Sequence, residues 1–150
     1  GWIVLGAKSF SHIYAAIGAG NYILEVISSL QMSSWLILLT MQVVLFLLGM
    51  FIDPIGIMMI TLPVFLPLSQ ELGFDLIWFG VIFTVNMELA FITPPFGMNL
   101  FYMKGVVPPG ITMGDIYRSI LPFIVLELLG LILLVLFPQL VLWLPNAMLR

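Results

Sequence analysis

Two proline-marked stretches carry the most telling chemistry of an otherwise apolar chain: Gly49-Met50-Phe51-Ile52-Asp53-Pro54 and Thr93-Pro94-Pro95-Phe96-Gly97-Met98-Asn99. Each interrupts sequence that would otherwise read as membrane-crossing helix. Lipid offers no hydrogen bonds, so a helix broken at membrane depth must bury its freed N–H and C=O groups in protein or beside water. Paired interruptions of this kind point to the substrate and ion site of a transporter. At the first, the carbonyls of Gly49, Met50 and their neighbours, with the Asp53 carboxylate, are the oxygen ligands a hard cation such as Na⁺ takes. Asp53-Pro54 is also a plain helix start, because Asp caps helices and Pro suits the first helical position. An acidic group at membrane depth is a functional candidate by default, so both readings stand.

At the second stretch, two successive prolines remove two donors and free carbonyls one turn earlier. Those of residues 90–93, with the Thr93 hydroxyl, form a further ligand set for Na⁺. The helix expected to restart near Pro95 aims its positive N-terminal end at the same place, which suits an anionic substrate group. Pro94, Pro95, Gly97 and Asn99 are therefore the candidate substrate-binding residues. A passive proline kink is the plainer account. Glu88, about one turn and a half before the break, either serves the ion site or pairs with Asn86 or Asn99. Glu127 lies mid-helix in the last apolar segment and suits a bond to another helix or subunit. Ser9 and Ser11 are weaker polar candidates.

No catalytic constellation emerges: there is no Ser/His/Asp order, no H-E-x-x-H and no phosphate-cradling loop. A single His12 and the absence of Cys rule out multi-His or thiolate metal sites within this chain. We expect no enzyme, and no cofactor beyond a coupling ion.

Composition places these motifs in a membrane. The 150 residues are 63% hydrophobic and 7% charged, with a mean hydropathy of +1.26, whereas soluble domains carry about 25% charged residues. The net charge of −3 is spread thinly and leaves no basic patch for nucleic acid. The chain begins inside an apolar segment, with no charged leader and cleavage site, so we expect the C-terminal part of a longer membrane protein.

The positioning elements follow from the apolar runs. Residues 1–20 read as a transmembrane segment softened by glycine and serine, with Lys8 needing an end position or a partner. Residues 21–31 carry apolar residues at helical spacing and read as an interfacial helix. Residues 33–70 form two limbs around the first break. At ~1.5 Å per residue each limb is roughly 22–24 Å long, short of a hydrocarbon core about 30 Å thick, which favours a re-entrant hairpin. Residues 76–103 read as a broken transmembrane helix and 116–145 as the last crossing. Lys104 and Arg118 place the loop between them in the cytoplasm by the positive-inside tendency, while Arg150 argues the other way. The expected fold is thus an all-α membrane protein.

The chain resembles the large permease subunit of TRAP (tripartite ATP-independent periplasmic) transporters, in its C-terminal half. The residues that carry the likeness are Gly49-Met50-Phe51-Ile52-Asp53-Pro54-Ile55, Leu62-Pro63-Val64-Phe65-Leu66-Pro67, Gly73-Phe74-Asp75, Trp78-Phe79-Gly80 and Ile92-Thr93-Pro94-Pro95-Phe96-Gly97-Met98-Asn99-Leu100. Lys104-Gly105-Val106 and Ile111-Thr112-Met113-Gly114-Asp115-Ile116 fit as well. The resemblance implies an elevator-type secondary transporter of two inverted repeats, with residues 1–150 as the second. It implies Na⁺-driven uptake, by a multi-pass protein of the bacterial inner membrane, of organic acids such as C4-dicarboxylates or sialic-acid-like carboxylates. A periplasmic substrate-binding protein would deliver them and a small membrane subunit would brace the scaffold. Gly49, Met50, Asp53 and Thr93 would then serve Na⁺, and Pro94, Pro95, Gly97 and Asn99 the substrate. A channel or structural membrane subunit without ion coupling is the alternative.

Overall fold

Four residues that cap helices by side-chain chemistry stand ahead of the apolar runs, and the helices begin where they stand. In the computed structural model, Ser33 accepts from Leu36 N at 3.3 Å and Asp75 from Ile77 N and Trp78 N at 2.8 and 3.1 Å. Asp53 caps in the same way, and Thr112 forms a reciprocal capping box with Asp115. The structure describes residues 1–29, 32–95 and 97–148. Gln31 at the end of the expected interfacial helix, Phe96 in the second break and Arg150 lie outside these residues. The described residues contain no strand.

The helices are α1 (Trp2–Ala16), α2 (Ala19–Ser29), α3 (Ser34–Gly49), α4 (Pro54–Glu71), α5 (Leu76–Ile92), α6 (Met98–Val106), α7 (Met113–Leu136) and α8 (Gln139–Met148). Two expectations change. The single last helix over 116–145 is two helices, because Pro138 has no N–H to continue the ladder and a proline pushes the preceding residue out of the α region. Phe137 accordingly sits at φ −123°, ψ 74°. The segment over 1–20 ends early: α1 stops at Ala16, and Gly18 at φ 67° turns the chain into α2.

The hairpin limbs α3 and α4 have 16 and 18 residues, or roughly 24 and 27 Å at ~1.5 Å per residue. Helices α4 and α7 are long and apolar enough to cross a membrane, while α3 and α5 are shorter apolar helices. Length alone therefore leaves α4 able to reach across, more than the sequence suggested.

Helix α5 is the hub. It packs on α3 and α7, and more lightly on α4, α6 and α8, while α1 lies against α4. Leu45, Ile57, Phe79 and Ile82 are fully buried around it. Between helices in lipid the gain is close packing rather than escape from water. Polar ties add direction. Asn86 Nδ2, on α5, donates to both the backbone oxygen and Oε1 of Gln42 on α3, each at 2.7 Å. Trp78 Nε1 donates to Leu134 O at 2.7 Å, fixing the start of α5 to the end of α7. Trp35 and Phe74 pack their rings against Trp78. Helix α7 is the outlier, with only 6% of its most apolar stretch buried.

Candidate functional site

The hairpin tip is a helix end that does not satisfy itself. Helix α3 stops at Gly49; the Phe51 and Ile52 N–H groups both return to Leu48 O, at 3.0 and 2.9 Å, and Met50 N–H reaches Phe46 O. Among the described residues the Gly49 and Met50 carbonyls accept no hydrogen bond. Asp53, half-buried, turns back over the first turn of α4. Its Oδ1 accepts from Ile55 N and Gly56 N, both at 3.1 Å, and its Oδ2 lies 3.0 Å from where a Cβ on Gly56 would stand. Oδ1 is thus committed to the cap and Oδ2 is the carboxylate's remaining ligand atom.

The second break leaves more carbonyls bare. Thr93 ends α5 in an extended conformation, its N–H on Ala90 O at 3.1 Å and its hydroxyl donating to Leu89 O at 2.6 Å. That bond directs the hydroxyl proton back into α5 and leaves the oxygen's lone pairs as acceptors. Pro94 and Pro95, joined by a cis peptide bond, offer no N–H. Among the described residues the carbonyls of Phe91, Ile92 and Thr93 accept no hydrogen bond.

The chain then doubles back at Gly97. Its φ of 26° is strained for any side chain, and a Cβ there would lie 3.0 Å from both Phe91 O and Thr93 O. The Phe91 and Thr93 carbonyls therefore lie over a glycine, where a side chain would crowd them. This conformation delays the restart: α6 begins at Met98, not near Pro95 as expected. Gly97 is buried, Thr93 and Pro94 are half-buried, and Pro95 and Asn99 are exposed.

Packing brings the two breaks together. A Cβ on Gly49 would stand 2.5 Å from Ala90 Cβ, so the tip of the hairpin rests on the last turn of α5, three residues before Thr93. Gly49 is what permits that approach. Met50 and Asp53 follow the contact in the hairpin, and Thr93 follows it at the end of α5.

Other candidates fall elsewhere. Asn86 is committed to Gln42 rather than to Glu88, which is exposed and makes no hydrogen bond among the described residues. Glu127 is half-buried on α7 and likewise unbonded. The Ser9 hydroxyl turns onto Leu5 O in its own helix, and Lys8 is exposed. The sequence reading missed Gln42 as a partner, and it missed Tyr117, whose hydroxyl donates to Pro95 O at 3.1 Å. Neither carries a local signal, because both matter only through a helix distant in sequence. No group of three or more His, Cys, Asp or Glu that could hold a metal occurs among the described residues. A cation at the paired breaks would rest on carbonyl and hydroxyl oxygens, the donors hard cations take.

Comparison with known proteins covers nearly the whole chain. The family model for the DctM component of the tripartite ATP-independent periplasmic transporter matches residues 1–140. The chain is similar to the C4-dicarboxylate TRAP transporter large permease protein DctM of Pseudomonas aeruginosa, 37% identical over 145 residues, 97% of this chain and 34% of that protein. It is similar to the sialic acid TRAP transporter permease protein SiaT of Haemophilus influenzae, at 32% identity over 97% of this chain and 23% of that protein. The ectoine TRAP transporter large permease protein TeaC of Halomonas elongata is 30% identical over 99% of this chain and 34% of its own length. The chain thus spans 20% to 34% of the length of the curated relatives it matches. With a family match over nearly all of its length, this membrane protein belongs to the DctM family of tripartite ATP-independent periplasmic transporter permeases.

Proposed function

We propose that the chain is the second inverted repeat of a Na⁺-coupled permease that takes up organic acids in an elevator-type mechanism. The observation that carries this reading is the contact of Gly49 with Ala90, which sets side by side two helix ends whose carbonyls are unpaired among the described residues. In lipid, bare carbonyls need partners; a cation is the partner that suits several at once. Gly49, Met50 and Thr93 contribute oxygens directly, and Asp53 contributes charge while capping α4. The N-terminal turn of α6, with its positive dipole end, and the surface of Pro94, Pro95, Gly97 and Asn99 receive the substrate's carboxylate. The relatives' names support an organic-acid class, C4-dicarboxylate or sialic acid among them.

In this reading α3 and α4 are a re-entrant hairpin in the bacterial inner membrane, a periplasmic binding protein delivers the substrate, and a small membrane subunit braces the scaffold. The experiment is Na⁺-dependent thermal stabilisation of the purified full-length permease, with K⁺ as the ionic-strength control. A ligand that binds only the folded state adds about 2.7 kcal/mol at one hundred times its Kd. Thr93→Val keeps the branched shape but removes the hydroxyl, and Pro94→Ala with Pro95→Ala lets the helix re-form its bonds and withdraw the carbonyls. Both variants should lose Na⁺ stabilisation. If both keep the wild-type response, the site is misassigned. Uptake into vesicles that needs both a Na⁺ gradient and a loaded binding protein separates the transporter from a channel.

A further inference from the structure

We infer that Tyr117 is a positioning residue for the second break: it ties the Pro95 carbonyl to α7 and so leaves the Phe91, Ile92 and Thr93 carbonyls as the backbone groups that face the ion. The inference rests on the Na⁺ reading above.

Among the described residues, backbone bonds give the two prolines of the break no support. Pro94 and Pro95 have no N–H, and the three carbonyls before them find no donor among the described residues. The hydrogen bond from the Tyr117 hydroxyl to Pro95 O, 3.1 Å long, is the one tie from another helix to residues 93–95 among the described residues. It holds the Pro95 carbonyl against α7.

The donor comes from a well-held place. Tyr117 follows the capping box of α7, in which Thr112 N–H reaches Asp115 Oδ2 at 2.8 Å and Asp115 N–H reaches Thr112 Oγ1 at 3.2 Å. Its neighbour Ile116 is buried. The loop before the cap is tied by Lys104 Nζ on Ile111 O at 2.6 Å, which links the end of α6 to the start of α7. A phenol also suits the position chemically: it reaches across to α5's end, donates one proton and carries no charge near a cation.

The test is Tyr117→Phe in the full-length permease, which keeps the ring and removes the donor. Na⁺ titrations of thermal stability should show half-saturation raised roughly five- to tenfold, the order expected for one ordinary hydrogen bond, with little change in Na⁺-free melting. Amide deuterium exchange over residues 97–100 should speed up without Na⁺ and slow again at saturating Na⁺. A lower Na⁺-free melting temperature with unchanged half-saturation and exchange means that Tyr117 only braces the fold, and overturns the inference while the Na⁺ site stands. No Na⁺ response in the wild type overturns both. Should Tyr117→Phe assemble poorly, Tyr117→Leu removes the same donor with a residue abundant elsewhere in α7, and the same readings decide.

Discussion

Gly49→Ala is the sharpest probe of the paired breaks. The new Cβ would stand 2.5 Å from Ala90 Cβ, 0.9 Å short of the 3.4 Å at which ordinary contact begins. Neither atom can rotate away, because each is fixed directly to a helix backbone. The tip must therefore lift from α5 by close to an ångström, or stay and carry the strain. Overpacking of this kind costs about 1–3 kcal/mol. Whatever part the free protein escapes by lifting the tip returns when Na⁺ draws the two sides together. At 1.4 kcal/mol per tenfold, the full strain corresponds to a rise in half-saturating Na⁺ of roughly five- to 150-fold. The assay is the Na⁺ titration of thermal stability, run on Gly49→Ala, Ala90→Gly and the pair. Ala90→Gly alone costs the helix about 1 kcal/mol, yet it vacates the contested space. The double variant should recover much of what Gly49→Ala loses, an interaction energy that independent sites would not show. Wild-type stability and Na⁺ response in Gly49→Ala, or a double variant no better than the single, would falsify the docking of the tip on α5.

Asp53→Asn should keep the folded state nearly as stable, since Asn caps as well as Asp, whereas Asp53→Ala should lose about 1 kcal/mol with the two cap bonds. If the charge serves the ion, Asp53→Asn also raises half-saturating Na⁺; an unchanged titration reduces Asp53 to a cap. Topology is tested by single cysteines at Ser33 and Glu71: a re-entrant hairpin labels both from one side of the membrane, and labelling from opposite sides means that the two limbs cross.

The helix starts were legible because capping is local chemistry. Asp53 and Asp75 ahead of apolar runs mark α4 and α5 in the sequence, and the proline pair marks the end of α5. The break at Phe137-Pro138 was written in the sequence too, but strong hydrophobicity on both sides hid it. Within the candidate site, the residue types and the prospect of bare carbonyls could be read in advance. The approach of Gly49 to Ala90 could not, because it depends on how α3 leans on α5. The same holds for Tyr117, which matters only after α7 returns beside the break, and for Gln42, an unremarkable polar residue until Asn86 is set against it. Asn86 itself shows how composition misleads: proximity in sequence suggested Glu88 as its partner, while the helix turns the two residues to different faces.

The bond pair between Asn86 and Gln42 limits how the hairpin can move. Swinging the whole of α3 away from α5 would sever two 2.7 Å hydrogen bonds between buried residues. Leaving buried polar groups unpaired costs about 1–3 kcal/mol each, so such an opening is populated in roughly one molecule in thirty at most. The pivot for any motion of the tip therefore lies beyond Gln42, within residues 43–49, where Val43, Val44 and Leu47 are exposed. The base of the hairpin instead travels with α5, and through Trp78 and Leu134 with the end of α7. In the proposed transport cycle the moving part would thus be a short tip of about two helical turns, with the base of the hairpin held to α5.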